Sequence, residues 1–146
     1  MAVTLTKHFA ADFASDAQKD KFVESFKAWK KAADPCSTHR FGKNVTTAVP
    51  IGHDFDHLWH VHLVPEDEDA RERWWFKYTS KTTHVRCNRE SDSLLFYVEY
   101  KGDFLLIRKT DHGLMRPPKE KLDAVCAIAD RWVSSKKAAS KSSSNP

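Results

Sequence analysis

The sequence has little of what would be expected to hold it in a membrane or to staple it covalently. No apolar run is long enough to span a bilayer, and no secretory signal is expected at Met1-Ala2-Val3-Thr4. Cysteine is scarce: Cys36, Cys87 and Cys126 are odd in number, widely spaced and form no Cys-x-x-Cys pair. That usage argues for free thiols in a reducing cytosol. A strong charge of one sign is also missing. The net charge is +4 over 146 residues, and Lys136, Lys137 and Lys141 of a Ser- and Ala-rich tail supply three of those charges, leaving the body at +1.

The length suits one domain able to bury a core without disulfides or metal. Residues 1–135 are expected to form it, with residues 136–146 a disordered tail rich in Lys and Ser. Val3 to His8 reads as a short strand. Ser15-Asp16-Ala17-Gln18 is a capping-box pattern that opens a helix, and Phe22, Phe26, Trp29 and Ala33 share one face before Asp34-Pro35 stops it. Turn residues fill 36–56, with a short edge strand at Val45 to Val49. Strands are expected at Leu58 to Val64, Thr83 to Asn88, Leu94 to Tyr100 and Phe104 to Lys109, the last two joined by Lys101-Gly102-Asp103. Pro117 and Pro118 suit the first turn of a second helix whose stripe is Leu122, Val125, Cys126, Ala129 and Val133. The expected class is α+β: a mostly antiparallel sheet with an N-terminal and a C-terminal helix packed on one face. The other face would carry His60 and His62.

Those two histidines hold the chemistry. In Leu58-Trp59-His60-Val61-His62-Leu63 a strand puts both imidazoles on one face and Trp59, Val61 and Leu63 on the other. Histidine titrates near neutral pH and moves protons there. With His53 and His57 the pair has the composition of a zinc site, but those two fall in a Gly- and Asp-rich approach with no supported helix. The expectation is a site with no metal and no cofactor.

Two other clusters join them. Arg89-Glu90-Ser91-Asp92 bends into the Leu94 strand, with Arg89 fitted to clamp a phosphate and Asp92 to orient an imidazole or make the turn. His112 and Arg116 leave the last strand through a Gly-containing loop, with Arg108 and Lys109 nearby. Between residues 73 and 89 there is no carboxylate. There Arg73, Lys77, Lys81, Arg86 and Arg89 alternate with Trp74, Trp75, Phe76, Tyr78 and His84, as a single-stranded RNA groove requires, although part of this aromatic set belongs in a core.

Taken in order, these motifs resemble the YafO-type toxins of bacterial type II toxin–antitoxin systems. The resemblance covers roughly residues 20–133: Phe26-Lys27-Ala28-Trp29-Lys30-Lys31, Phe41-Gly42-Lys43-Asn44, His60-Val61-His62-Leu63, Arg89-Glu90-Ser91-Asp92 with Leu94-Leu95-Phe96-Tyr97, Leu105-Leu106-Ile107, and the His112 to Arg116 spacing. Glu90 departs from a neutral hydroxyl residue, and Pro65 to Asn88 is longer than usual. The resemblance implies a RelE-like microRNase architecture and a ribosome-dependent endoribonuclease that cleaves mRNA and inhibits translation. It also implies a cognate antitoxin and mRNA on the ribosome as partners, with no membrane.

Metal-free RNA cleavage needs a base for the ribose 2′-OH, an acid for the leaving 5′-oxygen and cations for the phosphorane. The residues supply candidates: His60 or His62 as base, His112 as acid, Arg89 and Arg116 as clamp, with Asp92 in the catalytic group. Lys77, Lys81, Arg86, Lys109, Trp75 and Tyr97 are the expected RNA contacts, Tyr97 as a stacking surface. A body charge of +1 gives little affinity for free RNA, which accords with ribosome dependence. Two rival readings stand beside this one. A non-catalytic RNA- or ribosome-binding inhibitor would use the same basic aromatic segment, and a histidine-triad nucleotide hydrolase would share His60-Val61-His62 but lacks its third histidine at Val64.

Overall fold

The computed structural model describes residues 1–38, 40–80, 87, 89–110 and 119–144. Strand β1 (Val3–Leu5) leads into a short helix α1 (Lys7–Ala10), which takes over the end of the expected first strand. Helix α2 (Asp16–Lys31) begins as the capping pattern dictates, with Ser15 Oγ accepting from the Gln18 amide at 3.2 Å. A single 3-10 turn (Pro35–Ser37) precedes β2 (Phe41–Thr47) and β3 (Leu58–Leu63).

Helix α3 (Glu68–Ser80) occupies the acidic loop and much of the basic aromatic segment. It starts where Asp67 Oδ2 accepts from the Ala70 amide at 2.9 Å, an N-cap placed just ahead of acidic first-turn residues. Strands β4 (Leu94–Tyr100) and β5 (Asp103–Thr110) form a hairpin. Its two central residues, Lys101 (φ 50°) and Gly102 (φ 83°), both adopt the left-handed conformation that matches strand twist. Helix α4 (Lys119–Ser144) closes the chain and runs on through most of the residues expected to be a disordered tail.

The five strands are ordered β1-β5-β4-β3-β2, parallel only at β1 with β5. The α+β class is as expected, but the two long helices cover opposite faces. Helix α2 brings Phe22, Phe26 and Trp29 onto Phe41, Val61, Leu95, Tyr97, Phe104 and Leu106. Helix α4 brings Val125, Cys126, Ala129 and Val133 onto Leu58, Phe96, Val98, Leu105 and Ile107. The reason is legible in β4 and β5, where consecutive residues are all buried: both faces of these central strands are apolar, so each demands a cover. The histidine pair therefore shares its face with α4. Cys126 is a free, buried thiol, whereas Cys87 is disulfide-bonded, which corrects the expectation of free thiols at that position.

Phe26 is fully buried and meets Trp29, Phe41, Tyr97 and Phe104 edge-on at centroid distances of 5.3–5.9 Å. Truncation there leaves a cavity the rigid sheet cannot fill. Phe26→Ala should cost ~3–5 kcal/mol in urea denaturation, the largest loss among single truncations on α2.

Candidate RNA-cleavage site

Of the expected site residues, Arg89, Asp92 and Lys109 lie together at one end of the sheet, where β3 and β5 finish and β4 begins. A cleft of ≈ 670 Å³ opens there, lined by Arg73 and Trp74 of α3, residues 89–93, and Lys109 of β5. Its wall is built on Ser91. The Ser91 amide lies 3.0 Å and the Ser91 carbonyl 2.8 Å from His62 Nδ1, so one tautomer of the ring accepts from the amide and the other donates to the carbonyl. The Ser91 hydroxyl donates to the Leu63 carbonyl and accepts from the Ser93 amide at 3.2 Å. Leu63 N–H in turn donates to the Ser93 carbonyl at 2.8 Å. These bonds pin the segment that carries Asp92 to the end of β3.

His62 is only 4% exposed, and its ring lies 5.9 Å from that of His60. His60 Nδ1 sits 2.6 Å from Thr47 Oγ1. Burial, then the neighbouring His62 and Lys43, push the His60 pKa down to about 4, so the ring is neutral at physiological pH. The pair does not gather the other histidines. His53 Nδ1 instead meets Asp130 Oδ2 of α4 at 2.7 Å, and His57 lies edge-on to Trp59. Among the described residues no group of three His, Cys, Asp or Glu is arranged to hold a metal ion.

Arg89 is 1% exposed, its guanidinium 5.6 Å from the Trp74 ring centroid and 5.3 Å from that of Trp75. Gly42 makes this packing possible, since a Cβ there would lie 2.4 Å from both the Arg89 carbonyl oxygen and Trp74. Two further cations line the cleft, the exposed Arg73 and the half-buried Lys109, a residue pair that composition alone did not single out together. Arg73 was legible only as one of a charge run. On α3 it joins Ala70 and Trp74 at helical spacing, and all three line the cleft.

Four carboxylates line the same cleft. Glu66 meets Lys109 Nζ at 3.3 Å, Asp67 caps α3, and Glu90 meets Lys43 Nζ at 3.0 Å. Asp92 remains, exposed and with no hydrogen bond or ion pair among the described residues.

Tyr97 does not fit the stacking role expected of it. It is fully buried under α2, where its hydroxyl accepts from Lys30 Nζ at 2.9 Å and donates to Asn44 Oδ1 at 2.8 Å. Alternation along β4 turns Tyr97 towards α2 and its neighbour Phe96 towards α4. Trp75 is half-buried, on a groove adjoining the cleft. Lys81, Arg86, His112 and Arg116 lie outside the described residues, as do the side chain of Lys77 and the strand expected at Thr83 to Asn88, apart from Cys87.

The family whose model matches residues 27–133 is described as toxin YafO of the type II toxin–antitoxin systems. The chain belongs to the YafO toxin family. The match takes in β2 to β5, the whole cleft and α4 as far as Val133, so the segment that carries the site is the segment the family shares. No curated protein and no solved structure matches the chain. Membership of a type II toxin family implies a cognate antitoxin as partner of this YafO toxin. Among the described residues no helix is long and apolar enough to cross a membrane.

The His60 shift predicts a pH dependence of stability. Below pH 6.5 the unfolded chain binds a proton at His60 that the folded chain refuses until about pH 4. Stability from this group is thus complete above pH 6.5 and falls as the pH drops towards 4. Urea denaturation at pH 7.5 and pH 5 should show wild type losing more stability than His60→Gln, which has no titrating ring.

Proposed function

We propose that this YafO toxin cleaves mRNA on the ribosome by metal-free acid–base chemistry in the cleft at the end of the sheet. The observation that supports it most is the state of Asp92. Of the cleft's four carboxylates it alone is left uncommitted among the described residues, in a cleft also lined by the cations Arg73 and Lys109.

In this reading Lys109 and Arg73 bind the scissile phosphate and offset the charge that develops on it. Asp92 accepts the proton of the ribose 2′-OH, whose oxygen then attacks phosphorus and expels the 5′-oxygen. His62 is a positioning residue, holding Ser91 and with it the Asp92 segment. Arg89 braces the same wall from beneath the two indoles. His112, as the acid that protonates the leaving oxygen, and Arg116, as a second cation, keep the roles that the family resemblance implies; both follow directly after β5 in the chain. The ribosome supplies what a body charge of +1 does not, a means of holding the message in place.

Asp92→Asn keeps the size and polarity of an exposed side chain and removes its basicity. Losing a general base typically costs ~10² to 10⁴ in rate. Induced in cells, the variant should no longer arrest growth or generate new mRNA 5′ ends, while its urea midpoint stays at the wild-type value. Growth arrest and cleavage at wild-type levels would remove Asp92 from the mechanism. Arrest without cleavage by the wild-type protein would favour a binding inhibitor.

A further inference from the structure

A second groove, of ≈ 520 Å³, runs beside the cleft and shares Lys109, Glu66 and Pro65 with it. Its floor is aromatic: Phe13 and Phe22, 5.4 Å apart, with Trp75 of α3. Phe13 and Trp75 are only half-buried, and both line the groove. Asp12 and Gln18, both exposed, stand on the rim, and neither side chain has a hydrogen bond or ion pair among the described residues. Arg40 and Arg71 add positive charge to that of Lys109.

We propose that this groove is a nucleobase subsite, which takes the base next to the scissile phosphate, stacks it on Phe13 and Trp75, and reads its exocyclic amino group with Asp12 and Gln18. The inference rests on the cleavage reading and adds to it a determinant of where the message is cut. Three features carry it. Aromatic faces with nearby cations are the common means of holding an unpaired base and its phosphate. The shared Lys109 places the groove next to the phosphate cleft, as a flanking nucleotide requires. The rim presents a carboxylate and a carboxamide, whose oxygens accept from amino groups. Uracil is the one standard RNA base without such a group, so the site selects against it. An apolar antitoxin side chain would use the aromatic floor but has no need of the two acceptors or the surrounding cations.

The test is to map mRNA 5′ ends in cells that express wild type, Phe13→Ala or the double variant Asp12→Ala/Gln18→Ala. Wild-type cuts should be depleted of uracil at one position beside the cut. The double variant, altered only at exposed positions, should cut a few-fold less often, with uracil restored to its frequency in the messages. Phe13→Ala should cut about tenfold less, the effect of losing a stacking face. Wild-type cutting with the same uracil profile in the double variant would overturn the subsite and leave the cleavage reading intact. Variants that cut like wild type but are no longer neutralised by the antitoxin would make the groove a protein-docking surface and overturn the subsite as well. A wild-type protein that makes no cuts would overturn both readings together.

Discussion

The site depends on one constraint, the attachment of Ser91 to the end of β3. Residues 89–93 have no regular structure of their own, and a loop of that kind holds a carboxylate in place only if its backbone groups find fixed partners. His62 supplies one through Nδ1, and Leu63 supplies the others through its carbonyl and amide. Both belong to a strand clamped between β2 and β4, so the loop inherits the rigidity of the sheet. A histidine suits this place because its Nδ1 can act as acceptor or donor without leaving its position.

The two-sided core explains why the cleft lies where it does. With α2 covering one face and α4 the other, most of both sheet faces is committed to packing, and the strand ends remain for chemistry. Helix α3 then walls that end. Its Trp74 and Trp75 hold the Arg89 guanidinium between loop and helix, and its Arg73 faces the cleft. The close fit at Gly42 sets how near this wall approaches the sheet, because any side chain there would collide with backbone that cannot move aside.

Much of this was legible in the residues. The capped start of α2, the β4–β5 hairpin and the stripe of α4 follow from local rules that tertiary packing did not override. Helix α3 was harder to see because its charges and aromatics lack a clean amphipathic period, although Asp67, followed by Glu68 and Asp69, was a start signal in plain view. The placement of the helices on opposite faces was written in the unbroken apolar runs of β4 and β5, which periodicity alone does not convert into topology. At the site, the residue types were readable but their division of labour was not. Arg89 is buried against two indoles and Tyr97 lies in the core, while Ser91, which the sequence did not single out, carries the hydrogen bonds that tie the loop to β3.

In the proposed mechanism RNA is cut by its own 2′-oxygen in the cleft beside Asp92. The most direct measurement is the chemistry of the new ends when purified protein acts on messages held by ribosomes. The upstream fragments should end in 2′,3′-cyclic phosphate or its hydrolysis product, because the 2′-oxygen is the nucleophile. Upstream fragments ending in 3′-hydroxyl, or messages left intact, would contradict the account.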